Sequence, residues 1–123
     1  MPKKITVSLP DATLREYLQP HPDVTILEWD LSGEPPQPHI DIVVPPYMGG
    51  PQVLRGLEAV ETGLVQSQSI GYDGVAEFLP AGRVYANAAG VHETSTAELA
   101  LALILASQRE LPRLLQNQQE GRW

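Results

Sequence analysis

Few residues in this 123-residue chain are equipped for chemistry. It has no cysteine, which excludes disulfides and thiolate nucleophiles. Its three histidines stand apart: His21 between two prolines, His39 at the end of a proline-rich loop, and His92 ahead of a long apolar stretch. We assign none of them to a metal or to catalysis. The most promising feature is a piece of backbone. Val65-Gln66-Ser67-Gln68-Ser69-Ile70-Gly71 reads as a strand running into a glycine turn, and α/β sheets bind ligands at the carboxyl ends of their strands. Gly71 lets successive N–H groups face one concavity, an anion nest. A carboxylate held there gains charge-assisted hydrogen bonds without a basic side chain. On residue types alone, a plain tight turn with Gly71 at positive φ is the commoner arrangement. Asp73 reads as a capping residue for a helical turn at Val75.

The elements that would position this turn alternate between strand and helix. Lys4 to Leu9 places Ile5, Val7 and Leu9 on one face of a strand. Pro10-Asp11 opens a short helix with Leu14, Tyr17 and Leu18 at i, i+3 and i+4. Val24 to Trp29 is a second strand, and Ser32 to Pro38, with three prolines and a glycine, is a loop. Ile40 to Val44 reads as a strand buried on both faces of a parallel sheet. Pro51 to about Val60 is a helix with Val53, Leu54 and Leu57 facing inward. Leu64 to Ser67, a helical turn from Val75 to Leu79, and Val84 to Ala86 complete the set. The expected fold is a flavodoxin-like α/β parallel sheet with crossover helices over residues 1–92, followed over 93–123 by a long helix.

In that last region Ser95-Thr96-Ala97-Glu98 matches a capping box, with Ser95 at the N-cap and Glu98 reaching back. Leu99 to Ala106 is apolar on every side, which calls for enclosure by more than one surface. Pro112 must kink or split this helix, and Gly121 is its stop. The formal charge of −7 comes without any basic stripe, so a nucleic-acid partner is not expected. No leader-like h-region follows Met1-Pro2-Lys3-Lys4, and the longest apolar run is far below the ~20 residues that cross a bilayer. We expect a soluble, cytoplasmic protein with no membrane partner.

Three segments together resemble the D-isomer-specific 2-hydroxyacid dehydrogenases. They are 65–74 with its Ser69-Ile70-Gly71-Tyr72-Asp73-Gly74 turn, 84–91, and Ser95-Thr96-Ala97-Glu98-Leu99-Ala100 with Leu111-Pro112-Arg113. The likeness is ordered from about Val44 onward and before that rests on strand–helix order alone. It implies an enzyme that moves hydride between NAD or NADP and a small 2-oxo or D-2-hydroxy acid. Ile70 and Gly71 would hold the substrate carboxylate through backbone amides. Tyr47 and His92 would stand around the substrate pocket, and Thr96 would contact the nicotinamide. An exposed loop tyrosine fits Tyr47 equally well, and a solvated loop histidine is the commoner arrangement for His92.

The departures are as informative. No G-x-G-x-x-G occurs, and the family's catalytic Arg, Glu and His have no counterparts here. The chain thus reads as the front part of such an enzyme, inactive alone and binding no cofactor tightly. The resemblance also implies a homodimer through the 95–118 helix, including one formed by helix exchange. The alternative is a non-catalytic homodimeric α/β interaction module built on that helix.

Overall fold

The computed structural model describes residues 4–122. Met1-Pro2-Lys3, from the segment without a leader-like h-region, and Trp123 lie outside the described residues. The chain divides into two compact units at Ala88 and Ala89.

The first unit is built on five parallel strands: β1 (Ile5–Leu9), β2 (Val24–Glu28), β3 (His39–Val43), β4 (Glu61–Gln66) and β5 (Tyr85–Ala86). Their order across the sheet is β2-β1-β3-β4-β5. Every strand expected from the sequence is present, with ends displaced by up to three residues. Helix α1 (Ala12–Glu16) links β1 to β2. Asp11 caps it, its Oδ1 accepting from the backbone N–H of Thr13 (2.8 Å) and Leu14 (3.1 Å). This meets two of the amide donors that a helix start leaves open.

The connection from β2 to β3 contains no helix, so one crossover departs from the expected pattern. Side chains stiffen it instead. Trp29 is buried and donates Nε1–H to the Ser32 carbonyl at 3.0 Å. Asp30 Oδ1 accepts from both the hydroxyl and the backbone N–H of Ser32. Those two bonds, the hydroxyl's first, hold the Asp30 carboxyl below the usual carboxylate range. Leu31 then enters the core with φ +69, in the left-handed region that costs an L-residue roughly 1–2 kcal/mol.

Between β3 and β4 lies Pro51–Ala59, expected as an ordinary helix and found as a 3-10 helix. Leu54 and Leu57 are its buried residues. They join Trp29, Leu31, Ile40, Val43, Val60 and Val65 in one core cluster. Gly56 explains the tight fit: a Cβ there would lie 2.2 Å from the Leu31 carbonyl oxygen. Helix α2 (Val75–Phe78) follows β4, and Val75 and Phe78 pack against the same core. Arg83 ties the far end by donating Nη2–H to the Val60 carbonyl (2.5 Å) and the Leu57 carbonyl (3.5 Å).

The β1–β3 ladder is short, pairing only Val7 with Ile42 and Ser8 with Val43. Toward the amino end, side chains extend it. The Thr6 backbone N–H and hydroxyl both donate to Asp41 Oδ2 (2.8 and 2.7 Å), and the Asp41 N–H donates to Thr6 Oγ1 (3.0 Å).

The second unit holds α3 (Glu93–Gln108) and α4 (Leu111–Gln119). Pro112 splits the expected long helix here, with Glu110 at φ +50 forming the break. Gly121 (φ +65) ends α4 as expected: its N–H donates to the Gln118 carbonyl, and Arg122 N–H donates to that of Asn117, the paired bonds of a Schellman stop. The capping box is not formed. Helix α3 starts earlier, at Glu93, whose carboxylate accepts from the N–H groups of Gly90 (2.6 Å) and His92 (3.1 Å). Ser95 and Thr96, already inside the helix, donate their hydroxyls back to the His92 carbonyl, both at 3.0 Å. Within the single chain the apolar run is open: Leu99, Leu101, Leu103, Ile104 and Leu105 are 57–63% exposed. No helix among the described residues is long and apolar enough to cross a membrane.

Candidate functional site

The turn after β4 is held by a set of short-range bonds, nearly all of which engage carbonyls. Gln66 Nε2–H donates to the carbonyls of Ser67 (3.0 Å) and Asn87 (3.1 Å). The Ser69 carbonyl accepts from Ala88 N–H at 3.0 Å, and that of Ile70 accepts from Asn87 Nδ2–H at 2.9 Å. Gln68 Nε2–H reaches across to the Pro45 carbonyl (2.8 Å), joining the turn to the loop after β3. The Ser69 N–H donates to Ser67 Oγ at 3.1 Å, and the two hydroxyls stand 3.3 Å apart. The backbone N–H groups of Ile70 and Gly71 take no partner among the described residues. Both residues are exposed, so water or a ligand completes these donors.

Beside them lies a cavity of about 300 Å³. The loop after β3 supplies one wall through Pro45, Pro46 and Met48, with Val53 and Leu54 of the 3-10 helix behind it. Ser67, Ser69, Gly71 and Asp73 supply the opposite wall, and Val75 and Tyr85 also line it. The cavity thus sits at the carboxyl ends of β3 and β4, where ligands bind in open parallel sheets. Met48 adopts φ +59 on this rim. Strained backbone of this kind concentrates at ligand sites.

The turn differs from its expected form in two respects. Gly71 does not have a positive φ, and a Cβ there would meet nothing within 4 Å. The left-handed residue is Gly74 (φ +74), which is also the N-cap of α2 and makes no side-chain cap bond. Asp73 therefore does not cap the Val75 turn. It lines the cavity and, among the described residues, is the only charged side chain to do so.

The other candidates are dispersed. Tyr47 is 65% exposed in the loop after β3, and its neighbour Met48, not Tyr47, lines the cavity. Ile70 flanks the cavity in sequence without lining it. His92 and Thr96 belong to the second unit, where His92 is the N-cap of α3 and Thr96 lies one turn inside it. Sequence reasoning missed Met48, Gln66, Gln68 and Asn87, because side-chain amides and a strained loop residue leave no periodic signal. No group of three or more His, Cys, Asp or Glu among the described residues could hold a metal ion. No protein-family model, curated protein or solved structure matches the chain.

Proposed function

We propose that this chain is the substrate-binding portion of an NAD(P)-dependent oxidoreductase interconverting a small 2-oxo acid and a D-2-hydroxy acid. The observation that carries this reading is the pair of unpartnered amides at Ile70 and Gly71 beside a cavity at the strands' carboxyl ends. Two N–H donors with their neighbouring carbonyls tied back form a receptor for one carboxylate. The strand order 2-1-3-4-5 supports a flavodoxin-like reading of the first unit.

The nicotinamide cofactor does not fit this chain by itself. No glycine-rich phosphate loop opens a helix in the described residues, so the dinucleotide's phosphates have no seat here. We derive no hydride or proton transfer from these residues. In a whole enzyme Thr96 would meet the nicotinamide through its methyl group, since its hydroxyl donates to the His92 carbonyl. His92 would border the substrate, and Tyr47 would form an outer wall. The exposed leucines of α3 support association into a homodimer through the 95–118 region, directly or by exchange of the helix. They equally favour the second reading, a non-catalytic homodimeric module.

Titrating the isotope-labelled chain with glyoxylate separates the two. The dehydrogenase reading expects saturable amide shifts at Ile70 and Gly71, with a Kd of roughly 1–10 mM for so small a contact. Amides that stay unmoved through that range favour the interaction module.

A further inference from the structure

We propose that this site selects 2-oxo acids with an apolar, uncharged side chain and turns away those bearing a second carboxylate. The inference rests on the reading above and follows from the lining of the cavity that Gly71 borders.

The cavity stands at the small end of the range for ligand pockets, which suits a side chain of a few carbons. Its walls beyond Gly71 are mostly hydrocarbon: Pro45, Pro46, Met48, Val53, Leu54 and Val75. An aliphatic group placed there leaves water for apolar contact, a gain of roughly 0.8 kcal/mol per buried methylene. The polar groups in the wall are poorly suited to a second anion. Ser67 and Ser69 are engaged with each other and with the Ser69 N–H. Among the described residues no lysine, arginine or histidine lines the cavity, and Asp73 does. The first carboxylate is met by two N–H donors; a second would be stripped of water against hydrocarbon and face a like charge. The protein's net charge of −7 adds to that repulsion at long range.

The test compares 4-methyl-2-oxopentanoate with 2-oxoglutarate, which share the 2-oxo acid head and have side chains of similar reach but differ in the terminal group. Amide shifts at Ile70 and Gly71 report binding, at about 0.15 M salt so that long-range repulsion is mostly screened. We expect 2-oxoglutarate to bind about tenfold or more weakly than the branched acid. Asp73→Asn should raise the affinity for 2-oxoglutarate several-fold and narrow the gap; Asp73 is exposed, so the variant should fold. Equal or tighter binding of 2-oxoglutarate, with glyoxylate still shifting the two amides, overturns the selectivity and leaves the dehydrogenase reading standing. If none of the three acids moves those amides, the dehydrogenase reading itself fails and the selectivity falls with it.

Discussion

The two units use their apolar residues in opposite ways. In the sheet unit, Ile40, Val43 and Val65 of the strands and Leu57 of the 3-10 helix are all buried to 0% exposure. In the helical unit, α3 carries five leucine and isoleucine residues in sixteen positions and buries none of them within the chain. The difference follows from patterning. The 3-10 helix has one apolar side, formed by Val53, Leu54 and Leu57, and a sheet face to set it on. Helix α3 is apolar all round, so no single surface can satisfy it. One unit is complete as a packing problem and the other is open. The cavity of the candidate site is lined by residues of the sheet unit.

The sharpest way to break this contrast is to disturb the closure of the sheet unit. Gly56→Ala drives a methyl to within 2.2 Å of the Leu31 carbonyl oxygen, a backbone atom that cannot swing aside. The expected cost is about 3 kcal/mol, seen as a lower urea midpoint for the sheet unit. An unchanged midpoint would mean that the 3-10 helix is not seated against the Leu31 loop. Arg83→Met removes the charged donor that serves the Val60 and Leu57 carbonyls. Its expected cost is about 2 kcal/mol. The same measurement checks it, with Arg83→Lys recovering part of the loss.

The open unit responds to substitution through association. Leu101→Glu with Ile104→Glu charges exposed apolar positions of α3. If these residues form an interface between copies, the double variant should weaken self-association at least tenfold, about 1.4 kcal/mol. Sedimentation across a concentration series reads this directly. The urea midpoint of the sheet unit should stay fixed once concentration effects are removed. A variant that associates as strongly as the parent would place the interface elsewhere.

The same contrast explains what was legible in the sequence. Strand and helix order could be read because burial imposes periods: Ile5, Val7 and Leu9 alternate, and Leu54 and Leu57 recur at helical spacing. The location of the candidate turn at Ile70 and Gly71 was also legible, because it had to follow a strand. Its internal structure was not. Gly74 rather than Gly71 takes the left-handed conformation, a choice settled by carbonyls tied to Gln66, Asn87 and Ala88 through space. The 3-10 geometry likewise depends on Leu31 approaching Gly56 across 25 positions of sequence. At α3 two acids competed for one task. Ser95 and Glu98 have the better local pattern, yet Glu93 reaches the Gly90 and His92 amides first and moves the helix start.

That competition gives the smallest and most specific effect. Accepting the Gly90 N–H, with lesser help from its own and the His92 backbone N–H, holds the Glu93 carboxyl below the ordinary glutamate value. A carboxyl depressed in the folded state adds stability that is fully present above its unfolded pKa, about 4.3. That contribution is lost as pH falls through the lower folded value. The start of α3 should therefore fray on acidification below about pH 4, with faster amide exchange at Gly90 and His92 and at the first turn, Glu93 to Thr96. Glu93→Gln should show the faster exchange already at neutral pH and lose the acid step, because a neutral amide accepts these bonds more weakly and does not titrate. Glu98→Gln should leave both unchanged. If Glu98→Gln instead removes the acid step, the capping box at Ser95 forms in solution and the helix begins where its local pattern suggests.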